Sequence, residues 1–179
     1  MDIYITDLAA YNAGHLVGAW HILPMSETEL TKVIEEVLSK GAEACGDSEP
    51  NEEYFITDYE SEILIDEYDD IFRLNELAEL MQLYTDDDFL ELRVLSSEGY
   101  DERDVIDEGI EKHNVEIHDY RNNSSFTDTF ELLAQDFVND GLFGEIPTSL
   151  ENYIDYEAIA RDLRFDYSEV EINVIARVA

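Results

Sequence analysis

Carboxylates dominate the side chains of this sequence that could do chemistry. Asp and Glu number 45 among 179 residues, against 10 Lys and Arg, and the formal net charge is −35. Carboxylates can transfer protons, bind metal ions or supply fixed negative charge. With so many of them, some pair falls at any chosen separation, so a glycosidase-like pair of acids cannot be inferred. The acids alone therefore point to no particular reaction.

The remaining reactive groups form no catalytic or metal-binding motif. The chain has one cysteine, Cys45, and four histidines, His15, His21, His113 and His118. H-E-x-x-H, C-x-x-C, G-x-S-x-G and Walker-type sequences are absent. Asp66, Tyr68 and Asp70 have part of the spacing of a calcium loop, without its central glycine or its final glutamate. We therefore predict no catalytic residues, no metal and no cofactor, and do not expect an enzyme.

The charge is distributed through the chain instead of being collected in a tail. Residues 47–70 contain eleven acids and no Lys or Arg, and residues 122–160 contain eight acids and again no Lys or Arg. Apolar residues are interleaved with these acids, so folded elements are expected to carry the charge. At the charge density of B-DNA, 35 negative charges would extend over roughly 60 Å, or about 18 base pairs.

This charge balance excludes several partners and leaves alternatives open. A chain with so few cations is not expected to bind nucleic acid or an anionic membrane surface directly. The first ten residues, MDIYITDLAA, lack the features of a secretory signal, and a cytoplasmic protein is predicted. An acidic surface is also typical of halophilic proteins, which remains an alternative.

The periodicity of apolar residues predicts an α+β protein. Alternation predicts a strand at residues 2–6 and another at 16–23, with a turn at 12–14 between them. Ser26 and Glu29 form a capping box before a helix that we expect to end at Gly41. A strand is expected at 54–57, extended by Ile63 and Ile65.

The middle of the sequence is helical and the last third is mixed. Helices are predicted after Asp70, after the acidic triplet 86–88 and between residues 101 and 112. A strand at 115–117, helices at 130–138 and 147–163, and a terminal strand at 170–174 follow. We therefore predict an elongated chain of three small domains: an N-terminal antiparallel sheet with a helix (1–65), a central helical domain (66–112) and a C-terminal α+β domain (113–179).

Three segments of the sequence resemble the ArdA family of antirestriction proteins. They are IYITDLAAYNAGHLVGAWHIL at 3–23, EEYFITDYES at 52–61 with the following LNELAEL at 74–80, and EIPTSLENYIDYEAIARDL at 145–163. The resemblance implies a curved homodimer that mimics bent B-DNA. It also implies that such a protein occupies the DNA-binding groove of type I restriction–modification enzymes and protects incoming mobile DNA. An acidic mimic directed at another DNA-binding protein is the alternative.

Two sets of residues are predicted, the first from the resemblance and the second from the layout of charge along the sequence. The dimer contact is expected in the C-terminal third, at Ile117, Tyr120, Phe126 and Phe130. The carboxylates expected to replace DNA phosphates are Asp47, Glu49, Glu52, Glu53, Asp58, Glu60, Glu62, Asp66, Glu67, Asp69, Asp70, Glu76, Glu79, Asp86, Asp87, Asp88, Asp128, Glu131, Asp136, Asp140, Glu151, Asp155 and Glu157.

Overall fold

A computed structural model describes residues 1–123 and 127–178 and shows an α+β protein with two compact units. The units are Met1–Thr85 and Asp86–Ala179, and each contains a three-stranded antiparallel sheet. The predicted α+β class is therefore confirmed. Since contacts define two units, the three-domain arrangement is not confirmed, and its boundaries stay a prediction.

The first unit consists of three strands and three helices. Their bounds are β1 (Asp2–Asp7), α1 (Leu8–Asn12), β2 (Gly18–Ile22), α2 (Glu27–Cys45), β3 (Tyr54–Glu60) and α3 (Ile71–Met81). β1 lies in the centre of the sheet, antiparallel to β2 on one side and to β3 on the other. Ile3 and Ile5 on β1 are fully buried and pack with residues of α2 and α3, including Leu30 and Leu74. Alternation along β1 therefore gives the sheet one buried face.

The end of α2 differs from the predicted one, and two glycines of the first unit explain the difference. α2 begins after the predicted capping box at Ser26 and Glu29, but it continues past Gly41. Gly41 is buried against the side chain of Asp7, and a Cβ at this position would overlap the Asp7 carboxyl group. The helix ends at Gly46 instead, whose φ of 81° is left-handed. Glycine is thus needed at position 41 for close packing and at position 46 for the helix end.

Other predicted boundaries in this unit were also wrong. The predicted turn at 12–14 is present at Ala13 and Gly14, but the prediction missed the short helix α1 before it, whose start the Asp7 side chain caps. β2 is consequently shorter than the predicted strand at 16–23. Ile63 and Ile65 are buried but lie outside any strand, so their apolar character reflects core packing of a loop.

The second unit contains the remaining four helices and three strands. They are α4 (Asp86–Ser97), α5 (Glu102–Glu108), β4 (Val115–Asp119), α6 (Thr129–Asn139), α7 (Tyr156–Leu163), β5 (Ser168–Glu171) and β6 (Val174–Val178), with short 3₁₀ turns at Ile110–Lys112 and Glu151–Tyr153. The sheet order is β4-β6-β5. Ile175 on β6 packs with α6 and α7, while α4 contacts all three strands. The sheet is therefore covered by helices. The helices predicted for the middle of the sequence lie in different units: α3 packs in the core of the first unit, and α4 and α5 lie in the second unit.

The chain end corrects a further prediction. The residues expected to form one terminal strand form the β5–β6 hairpin, which reverses at Ile172 and Asn173. Asn173 has a φ of 62°, a conformation that asparagine tolerates better than most residues. Of the predicted helix at 147–163, only α7 and the preceding 3₁₀ turn form. No helix in the described part of the chain is long and apolar enough to cross a membrane.

Candidate functional site

The histidines and the cysteine do not assemble into a reactive centre. Cys45 is half-buried at the last residue of α2. His21 faces α2 from β2, and burial is the main cause that lowers its pKa. Among residues 1–123 and 127–178, no group of three His, Cys, Asp or Glu residues could hold a metal ion.

A cleft of about 410 Å³ in the second unit is lined by a network of polar side chains. The Glu116 carboxylate accepts hydrogen bonds from His118 Nε2 at 2.9 Å, Tyr167 Oη at 3.0 Å and Arg177 Nε at 2.8 Å. Burial alone would raise the pKa of Glu116, but these donors together lower it. Burial and the bond to Glu116 raise the pKa of Tyr167 to about 12. Because the four groups hydrogen-bond to one another, the network ties β4 to β6.

The predicted carboxylates are mostly on the surface, and we call this set of 23 residues the carboxylate surface. Twenty of them are exposed, and Asp69, Asp88 and Glu131 are partly buried. The set includes residues of both compact units, with the division at Asp86. Within each unit, the acids interleaved with apolar residues in sequence therefore become charges held outside an apolar core.

The fold holds these charges in several kinds of local structure. The segment between α2 and β3 carries Asp47, Glu49, Glu52 and Glu53, and the segment between β3 and α3 carries Glu62, Asp66, Glu67 and Asp69. Asp58 and Glu60 lie on β3, while Glu76 and Glu79 lie on α3. Glu131 and Asp136 lie on α6, which Asp140 follows directly, and Glu151 and Glu157 lie in the 3₁₀ turn and in α7.

Many of the aspartates stabilise helix starts. Asp70, Asp128 and Asp155 accept hydrogen bonds from backbone N–H groups at the starts of α3, α6 and α7. Asp86, Asp87 and Asp88 form the first turn of α4. A carboxylate at a helix N-terminus satisfies free N–H groups and interacts favourably with the helix dipole. These acids thus have a structural role that also restrains their charge in space.

Six arginines in the described part of the chain pair with its own carboxylates. Arg164 Nη2 lies 2.7 Å and 2.8 Å from the two Asp128 oxygens, and Arg177 Nη2 lies 2.7 Å from Glu116. The other arginine pairs are Arg73–Glu76, Arg93–Glu171, Arg121–Asp119, Arg121–Glu171 and Arg161–Asp162. Much of the scarce positive charge is therefore held beside carboxylates of the same chain.

The sequence prediction omitted several exposed acids around α5. Asp101 caps this helix, and Asp104, Asp107, Glu108 and Glu111 are exposed on it or directly after it. The prediction concentrated on stretches without basic residues, and Arg103 and Lys112 interrupt this one. Net charge per helical turn would have revealed the cluster.

The residues assigned to the dimer contact have different environments. Ile117 is partly buried on β4, and the Tyr120 hydroxyl donates a 2.7 Å hydrogen bond to Asp136. Phe130 is 3 % exposed in the core of the second unit, beneath the Arg164 guanidinium. Phe126 lies outside the described residues. The dimer contact stays a prediction.

These features define a class: a small acidic α+β protein whose exposed charged side chains are mainly carboxylates and six of whose arginines are paired internally. The chain matches the family described as antirestriction protein (ArdA) over residues 3–175. It therefore belongs to the ArdA antirestriction family, a family of inhibitors that are not enzymes. A comparison with curated proteins found no match.

Proposed function

We propose that this protein inhibits type I restriction–modification enzymes by occupying their DNA-binding groove with its carboxylate surface. Family membership supports an antirestriction function. The exposure of 20 of the 23 predicted carboxylates, together with the internal pairing of the arginines, is the observation that carries the mechanism. A groove lined with Lys and Arg binds phosphates through charge and hydrogen bonds, and a fixed array of carboxylates offers it the same kind of partner.

The proposal explains how one inhibitor acts on enzymes that recognise different DNA sequences. Contacts to the phosphate backbone position a protein on DNA but carry no sequence information. A protein that replaces those contacts blocks the groove irrespective of the bases that the enzyme reads. We propose that it acts as a homodimer in the cytoplasm, where it protects incoming mobile DNA.

The direct test is a cleavage assay with a purified type I enzyme and its unmodified DNA substrate. We expect the protein to slow cleavage and the inhibition to be relieved as the DNA concentration increases, because both ligands compete for one groove. Inhibition should also weaken steeply with added salt, as expected for groups that replace phosphates. Inhibition that is insensitive to DNA concentration would place the protein at another site.

A charge series tests whether the carboxylates act collectively. Asp47→Asn, Glu49→Gln, Glu52→Gln and Glu53→Gln are introduced one after another, and the matched control exchanges Asp for Glu and Glu for Asp at the same positions. Exposed ion pairs contribute about 0–1 kcal/mol each, so each neutralised acid should weaken inhibition by at most about fivefold. Loss of all inhibition from one substitution, or no loss from all four, contradicts the proposal.

A further inference from the structure

The exposed face of the first sheet combines aromatic, aliphatic and acidic side chains in an ordered array. Directly opposed residues in an antiparallel sheet lie on the same face. The register places Trp20, Tyr4 and Asp58 in one row and Ile22, Asp2 and Glu60 in the next. Ile3 and Ile5 occupy the opposite, buried face. We call these six residues the outer face of the first sheet.

The aromatic side of this face is accessible. Trp20 is 47 % exposed and Ile22 is 69 % exposed, although both are large apolar side chains on an edge strand. The Tyr4 and Trp20 rings meet edge to face, with centroids 5.5 Å apart. A Cβ added to Gly18 would lie 2.5 Å from Tyr4 Cε1, so the glycine leaves space for the tyrosine ring. The aromatic pair is thus held in a defined position at the surface.

Carboxylates border the aromatic pair. Asp58 and Glu60 are exposed on β3, and the Asp2 side chain is 39 % exposed on β1. Asp58 and Glu60 lie directly and diagonally across from Tyr4, and Asp2 lies diagonally across from Trp20, so each ring has a carboxylate on the neighbouring strand. Within residues 1–85, the only ion pair of the face joins Asp2 to the terminal amine at 4.0 Å. The face therefore offers π-electron density and negative charge together.

The protein binds its own arginines with the same combination of groups. The Arg164 guanidinium carbon lies 4.0 Å from the centroid of the Phe130 ring while Asp128 binds its nitrogens. Arg177 lies 4.7 Å from the centroid of the Tyr167 ring and pairs with Glu116. In both cases an aromatic ring supports the guanidinium plane and a carboxylate binds its edge, an arrangement that suits arginine better than lysine.

We propose that the outer face of the first sheet docks on arginine side chains of a partner protein, with Trp20 as the central contact. The partner is a basic protein surface, and the inference rests on the proposed function insofar as those arginines belong to a DNA-binding groove. Tryptophan is one of the residue types that most often dominate interface affinity. The carboxylate surface would attract the groove, and this face would select arginine within it.

Hexa-arginine and hexa-lysine peptides test this selectivity without any restriction enzyme. Trp20 is the only tryptophan, so its fluorescence reports directly on the face. We expect hexa-arginine to change the Trp20 emission saturably and to bind at least about threefold more tightly than hexa-lysine, which has the same charge. Equal affinity for the two peptides overturns the proposal, since charge alone would then explain binding.

Variants separate the face from the rest of the acidic surface. By calorimetry, Trp20→Ala should weaken hexa-arginine binding by about threefold to thirtyfold, and Trp20→Phe, which keeps an aromatic ring in the strand, by less. Leu83→Ala is the control, because Leu83 is 84 % exposed elsewhere in the same unit. Asp58→Asn with Glu60→Gln should weaken binding more than Glu52→Gln with Glu53→Gln, which removes the same charge. The proposal is overturned if Trp20→Ala weakens hexa-arginine binding no more than Leu83→Ala does. It is also overturned if the two double acid variants weaken this binding equally.

The DNA-cleavage assay distinguishes this inference from the proposed function. If the wild-type protein inhibits cleavage and Trp20→Phe and Trp20→Ala inhibit equally well, docking through Trp20 is refuted and competition for the groove stands. If the wild-type protein binds hexa-arginine selectively but does not inhibit cleavage, the proposed function fails while the arginine-binding face remains.

Discussion

Substitutions at Asp7 and Gly41 should have strongly non-additive effects on the free energy of unfolding. Asp7 is fully buried, its Oδ1 accepts a 2.6 Å hydrogen bond from Ala10 N, and both of its oxygens lie 3.0 Å from Asn51 Nδ2. Gly41→Ala places a methyl group on this carboxyl group and 2.7 Å from Asp7 Cβ. Since neither side chain can move into solvent without breaking these bonds, we expect overpacking to reduce stability by about 1–3 kcal/mol.

The matched substitution is Asp7→Gly, because alanine would keep the Cβ that also obstructs position 41. Asp7→Gly alone should destabilise the first unit by about 2–4 kcal/mol, since it leaves buried donors without their acceptor. In that background the space at position 41 is open, and Gly41→Ala should stabilise α2 by up to about 1 kcal/mol through helix propensity. The expected coupling energy is therefore about 2–4 kcal/mol.

Urea unfolding, followed by the fluorescence of Trp20, gives the free energy of unfolding of the wild type, the two single variants and the double variant. Trp20 is a suitable probe because it lies in the same unit as positions 7 and 41. Ser39→Ala compared with Ser39→Gly, at an exposed position of α2, supplies the local helix-propensity difference. If Gly41→Ala has the same effect with and without the Asp7 side chain, to within about 0.5 kcal/mol, the carboxyl group does not fill the space and the reasoning fails.

Three further predictions concern charge and pH. Burial, followed by the neighbouring aspartates of α4, raises the pKa of Glu91, so its ionised form destabilises the fold. Glu91→Gln should therefore raise the melting temperature at pH 7. This advantage should shrink as the pH falls through the raised pKa of Glu91 and be gone by about pH 4.5. Burial lowers the pKa of His21, so the free energy of unfolding should fall as the pH drops through about 6.5. Urea unfolding at pH 7.5 and 5.5 measures this change in stability. The change should be smaller for His21→Asn than for the wild type. Arg164→Lys should destabilise the second unit by about 1 kcal/mol. Lysine cannot contact both oxygens of Asp128 and stacks poorly on the Phe130 ring. Thermal unfolding tests this, and an unchanged melting temperature would contradict it.

Local signals predicted much of the secondary structure. The capping box at Ser26 and the aspartate before α3 depend on hydrogen bonds between neighbours in sequence, and both helix starts were confirmed. The predicted exposure of acids rests on the desolvation of charge, which holds in any fold. These inferences need no knowledge of which elements pack together.

The errors arise where packing between residues distant in sequence determines the local structure. Gly41 resembles a helix end in sequence, but it accommodates Asp7, 34 positions earlier. Ile63 and Ile65 alternate as in a strand, yet they fill the core from a loop. The outer face of the first sheet could not be recognised from sequence, because strand register brings Trp20, Asp2 and Asp58 together.

The internal pairing of the arginines has a consequence for how the protein behaves beside DNA. With six guanidinium groups paired to Asp and Glu of the same chain and a formal net charge of −35, the protein has little positive charge to offer a phosphate backbone. A large excess of duplex should therefore not sequester the protein. Inhibitor and nucleic acid would meet only as rivals for the enzyme, so no inhibitor is lost on DNA itself, although the amount needed still rises with the DNA that competes for the groove.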